Sequence, residues 1–152
     1  MAVYEIKRGF GVFVSPTLIC DADGKVLYRL VYPWFGWSRK ILDGSKTRIG
    51  IVRNRPWRPL EIQHDEYGVA TFKLVSFWRS VFEITLPEGA QIEVRSKWRQ
   101  TQFIENGEQI ATAKVKFWAR ERIYRIEVGN QARDFYILIT AALQGRFGGG
   151  DS

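Results

Sequence analysis

Ala132-Arg133-Asp134-Phe135-Tyr136-Ile137-Leu138-Ile139-Thr140-Ala141-Ala142-Leu143-Gln144, followed by Gly145, is the stretch on which the reading of the whole chain turns. Asn130 suits an N-cap and Gly145 the position just past a helix end, so the pattern predicts a helix over about residues 131–144, roughly 21 Å long. After its first turn this helix is apolar on nearly every side. Such a helix must be buried all round, and a ring of strands of matching length would enclose it. The β-branched centre, Ile137-Leu138-Ile139, leaves a final strand as the alternative. The apolar run Phe135 to Ala142 would rise only about 12 Å, far short of a bilayer core of roughly 30 Å. It cannot span a membrane.

Working outward, the chain before this stretch reads as hairpins. Glycines with an acidic residue or Asn one or two places before them mark turns at Gly24 (Asp21-Ala22-Asp23-Gly24), Gly44, Gly68, Gly89, Gly107 and Gly129, at separations of 20, 24, 21, 18 and 22 residues. Asp-Gly and Asn-Gly supply the positive φ of tight hairpin turns. The flanks, such as Lys25-Val26-Leu27-Tyr28-Arg29-Leu30-Val31 and Gln91-Ile92-Glu93-Val94-Arg95, alternate in polarity and favour strands. A first hairpin is expected from Tyr4-Glu5-Ile6-Lys7 to Val12-Phe13-Val14. A second series, Trp37, Trp57, Trp78, Trp98 and Trp118, runs between the glycines at spacings of 20, 21, 20 and 20 residues. Each Trp has an arginine one or two places on: Arg39, Arg58, Arg79, Arg99 and Arg120. A fixed period marks a repeated supersecondary unit, here one hairpin, and puts Trp and Gly at opposite strand ends. The expected fold is all-β with one helix: a single domain over residues 1–145, ten to twelve mainly antiparallel strands closed as a barrel around the C-terminal helix, with a two-sheet sandwich as the alternative, and a flexible glycine-rich tail over 146–152.

The composition fits this reading. Of 152 residues 45% are hydrophobic and 14% aromatic, with six Trp and ten Phe, enough to build one core. The net charge of +7 points to phosphate-bearing partners, lipid or nucleic acid. The single cysteine, Cys20, excludes an internal disulfide and a multi-cysteine zinc site. With no export signal in Met1-Ala2-Val3-Tyr4-Glu5-Ile6-Lys7-Arg8, the expectation is a cytoplasmic location, either free or at a membrane periphery.

Hairpins with turns of the Asp21-Ala22-Asp23-Gly24 kind, running the length of the chain into an apolar helix, resemble the tubby-like superfamily. That superfamily includes the tubby domain, the phospholipid scramblases and the LURP-one-related proteins with their small bacterial relatives. The resemblance covers roughly residues 3–145. It implies a twelve-stranded barrel around a central hydrophobic helix, and phosphoinositide or phospholipid headgroups as a ligand class. It carries over no ligand residue by motif.

The candidate site therefore comes from this sequence alone. Trp34-Phe35-Gly36-Trp37-Ser38-Arg39-Lys40 and Arg53-Asn54-Arg55-Pro56-Trp57-Arg58-Pro59 combine aromatic rings with guanidinium forks suited to phosphate oxygens. Trp37, Arg39, Lys40, Arg53, Arg55, Trp57 and Arg58 are the anion or headgroup candidates. Gathered at one rim, the Trp/Arg series would suit a membrane surface. The same faces could stack nucleic-acid bases or meet a protein partner. In the structural reading, Trp residues close the barrel end over the helix, covered by arginine stems. No catalytic residue, cofactor or metal is predicted. Asp21-Ala22-Asp23-Gly24 lacks the later ligands of a calcium loop. His64 is the one histidine, Cys20 reads as a buried structural thiol, and Asp65 and Glu66 lie in a turn.

Overall fold

In the computed structural model, residues 2–7, 16–31, 38–97, 99–117, 120–125 and 131–144 are described. Among them are twelve strands: β1 (Ala2–Lys7), β2 (Thr17–Asp21), β3 (Val26–Val31), β4 (Ser38–Asp43), β5 (Arg48–Arg53), β6 (Leu60–His64), β7 (Gly68–Ser76), β8 (Val81–Thr85), β9 (Gln91–Lys97), β10 (Gln100–Glu105), β11 (Glu108–Phe117) and β12 (Arg120–Arg125). One helix follows, α1 (Gln131–Gln144). Each strand pairs antiparallel with its neighbours in sequence. β1 also pairs with β12, from Ala2 opposite Arg125 to Lys7 opposite Arg120, so the order returns to its start as a closed barrel. Register shifts at Ile19/Cys20, Ile41/Leu42, Leu74/Ser76, Phe103/Ile104 and Val115/Phe117 bend the strands. Bulges raise local twist, which closure requires.

Every strand contributes a buried apolar residue to one core, from Ile6 on β1 and Ile19 on β2 round to Phe103 on β10 and Ile123 on β12. Phe135 through Leu143 of α1 join them without a break in burial. Geometry explains why a helix is needed. Twelve strands about 4.8 Å apart and tilted about 40° run roughly 12 Å from the barrel axis, too far for side chains alone to meet. A helix about 10–12 Å across fills that space.

The N-terminal part of α1 is pinned at the glycine-turn end. The Tyr4 hydroxyl donates to Asp134 Oδ2 at 3.1 Å, Arg133 pairs with Glu105, and the Tyr136 hydroxyl donates to the Gly68 carbonyl at 2.5 Å. The Phe135 ring meets Tyr28, His64 and Tyr136 edge-on, with centroids 5.2, 4.6 and 5.1 Å away. Further along α1, the fully buried Thr140 hydroxyl has no hydrogen-bond partner among the described residues. An orphaned buried hydroxyl costs about 1–3 kcal/mol. Thr140→Val, which keeps the shape, is accordingly expected to raise the unfolding free energy by about 1 kcal/mol or more in urea titrations.

The turns at this end share a plan. Asp21 and Asp43 each use Oδ1 to accept the amides two and four residues on, all at 2.9 Å, from Asp23 and Lys25 and from Ser45 and Thr47. In the 43–47 turn the positive φ falls on Lys46, at 68°, the place held by Gly24 at 86° in the 21–25 turn. The sequence reading that made Gly44 the turn glycine is corrected there. A Cβ on Gly44 would instead run into the Val26 carbonyl oxygen, so close strand approach requires that glycine. The expected partner of the first strand also shifts: β1 pairs with residues 18–21, and Val12-Phe13-Val14 lie outside the described residues. So do Gly129, Asn130, Gly145 and the tail over 146–152.

Candidate site at the tryptophan end of the barrel

In an up-and-down barrel, connections alternate between the two ends. The described residues of the connections after β5, β7 and β9, namely 54–59, 77–80 and 99, belong to one end. They hold Trp57, Trp78 and four arginines, and no Asp or Glu. The described connections at the other end, residues 22–25, 44–47, 65–67, 86–90 and 106–107, hold four acidic residues, two lysines and no Trp. The barrel is thus polarised along its axis in both charge and aromaticity.

Two of the tryptophan-end connections are described completely. Trp57 is 102% exposed and Trp78 is 91% exposed, with Phe77 beside it at 74%. The Phe77 and Trp78 rings meet edge-on at 5.6 Å. At these two positions the indoles do not cover the barrel, which overturns the reading of Trp as a structural closure there. Trp37, Trp98 and Trp118 lie outside the described residues.

The local geometry at Trp57 is costly. The Arg58 amide donates to the Arg55 carbonyl at 3.3 Å across Pro56 and Trp57, and Trp57 has φ of 66°. Proline in second place and positive φ in third define a type II turn, whose third residue is ordinarily glycine. A bulky side chain with left-handed backbone carries strain of about 1 kcal/mol or more. Trp57 is penalised twice, by its backbone and by water on its ring.

The remaining candidates do not converge on one point. Arg39 lies on β4 two residues before the buried Ile41 and opposite the buried Val52, so it shares their inner face and is half-buried at the tryptophan end. Lys40, exposed, and Arg53, half-buried, sit on the outer face. Arg55, Trp57 and Arg58 are exposed together at the β5–β6 tip, joined at the same end by exposed Arg79 and Arg99. Sequence reasoning missed Leu74, Val75 and Phe77, all exposed at the β7–β8 tip. The run Leu74-Val75-Ser76-Phe77-Trp78 is the signal that could have found them.

The wall between the ends is charged. Lys73 pairs with Glu83 at 3.6 Å and Arg95 with Glu93 at 2.9 Å, while Glu83 stands directly opposite Glu93 across β8 and β9. An open groove over these strands is lined by Glu83, Glu93, Arg95 and Asn106. No group of His, Cys, Asp and Glu among the described residues could hold a metal, and no helix among them is long and apolar enough to cross a membrane.

His64 and Cys20 are both buried. The His64 ring stacks on Tyr67 at 3.9 Å, and its Nδ1 accepts the amides of Glu66 at 3.0 Å and Tyr67 at 3.2 Å. Burial holds its pKa below the usual 6.5, against the opposing pull of Glu66 and Asp65. Below pH 6.5 the unfolded chain takes up a proton that the folded one refuses. Stability is therefore expected to fall as pH drops through this window, by at most about 1.4 kcal/mol per unit, until the lowered folded pKa is passed. Urea titrations should show the slope, and His64→Asn should abolish it. Burial likewise pushes the Cys20 thiol up, which keeps it protonated and unreactive.

No family model matches the chain, and no curated protein does. Among solved structures it is similar to the X-ray structure of a protein from Arabidopsis thaliana, with TM-score 0.65 and 19% identity over 94% of this chain and 89% of that one. At that identity the likeness speaks for a shared fold and for nothing further.

Proposed function

We propose that this chain is a non-enzymatic, cytoplasmic binding module of the tubby-like kind that contacts anionic membrane surfaces through the tryptophan end of its barrel. One observation carries the reading: Trp57 stands fully exposed between Arg55 and Arg58, at a turn position where glycine would relieve the backbone. An aromatic ring kept in water at that cost gains when it enters a headgroup region. Arginines on either side supply the attraction to phosphate oxygens, worth about 1 kcal/mol each near an anionic leaflet. No cofactor or catalytic group enters this reading.

Co-sedimentation with phosphatidylcholine vesicles of increasing phosphatidylserine content tests it. Binding should rise with anionic lipid and weaken as salt is added. Indifference to lipid charge would overturn the proposal, and tight binding of single-stranded oligonucleotides in place of vesicles would assign the same face to nucleic acid.

A further inference from the structure

Building on that reading, we infer that the barrel docks end-on, with its axis along the bilayer normal, and that the tips of the β5–β6 and β7–β8 hairpins enter the headgroup layer as two prongs. The two ends of the axis differ in sign. The described residues of the tryptophan-end connections include four arginines and no acid, and those at the far end four acids against two lysines. An anionic surface attracts the first end and repels the second, so approach is oriented before contact. The wall cannot lie against lipid tails, because Lys40, Lys73, Glu83, Glu93 and Arg95 face outward along it. The exposed apolar side chains at the two described tips are Trp57 on one and Leu74, Val75, Phe77 and Trp78 on the other. The tips are two strand spacings apart, about 10 Å along the rim.

The same arrangement sets specificity. Arg39 faces inward, Arg53 faces the outer wall, and Arg55 and Arg58 flank a tip. These cations form no pocket around a single headgroup. The surface responds to the density of lipid charge and not to the stereochemistry of one lipid.

Depth-resolved labelling tests the orientation. A polarity-sensitive dye is placed in separate proteins at Trp78→Cys, Lys73→Cys and Ser45→Cys, with Cys20 buried and unlabelled. Each is mixed with phosphatidylcholine vesicles containing phosphatidylserine or, at equal charge, phosphatidylinositol. The dye at 78 should shift to the blue and be quenched by brominated acyl chains, with no change at 73 or 45. Both lipids should bind alike. In unlabelled protein, Trp57→Gly should weaken vesicle binding by roughly tenfold while its urea midpoint holds or rises, since glycine relieves the turn. Quenching at 73 or 45 in a vesicle-bound protein overturns end-on docking and leaves membrane binding intact. A strong preference for one lipid at equal charge overturns the charge-density reading. No vesicle binding by any variant or by the parent protein removes the proposed function itself.

Discussion

Phe135→Ala is expected to cost about 3–5 kcal/mol of unfolding free energy, enough to leave little of a typical domain's 5–15 kcal/mol. The ring is fully buried and is the hub of the aromatic group made by Tyr28, His64, Tyr67 and Tyr136. Neighbours on several strands of a closed barrel cannot all move inward to fill the space it leaves. Urea denaturation followed by circular dichroism would give the loss, with an unchanged m-value identifying it as a change in stability. Phe135→Leu, which keeps most of the volume, should lose distinctly less. If Ala at this position were tolerated at under about 1 kcal/mol, the helix would not be the packing centre of the fold.

The second large effect concerns binding. Arg55, Arg58 and Arg79 are exposed at two tips, and their replacement by Gln together should remove about 3 kcal/mol of attraction to an anionic leaflet. That is a loss on the order of a hundredfold in vesicle partitioning. Folding should be nearly untouched, because exposed substitutions of this kind ordinarily change stability by less than about 0.5 kcal/mol. The salt dependence of the residual binding should flatten in parallel. Unchanged partitioning in the triple variant would remove these arginines from the site.

How far the sequence disclosed these features varied with the physics behind each. The helix was legible at its bounds, because an all-round apolar segment between Asn130 and Gly145 has few physical solutions. The far-end turns were partly legible. Gly24, Gly68, Gly89 and Gly107 all carry positive φ, but Lys46 takes that role in its own turn. There the Asp43 carboxylate accepts the Ser45 hydroxyl and two amides, contacts that also lower its pKa and hold the loop without a glycine at the positive-φ position. Spacing alone could not show this, since side-chain capping can replace backbone freedom. At Trp57 and Trp78 the Trp beat gave the correct end of the barrel but not exposure: period fixes where a residue falls along a strand, and packing decides which way it turns. The scatter of Arg39, Lys40 and Arg53 follows from strand alternation. Adjacent residues point to opposite faces, so a cluster in sequence divided once β4 and β5 formed.

The topology also has a consequence in time. Eleven of the twelve strand pairings join neighbours in the sequence, and such hairpins can zip within microseconds. The twelfth, β1 with β12, must bring Ala2 to Arg125, and the helix that gives every strand its core follows all of them in the chain. Early hairpins therefore form with their apolar faces in water and nothing to cover them. Capture of the helix and closure of the ring become one late, concerted event, and the open ribbon before it is the species most prone to self-association.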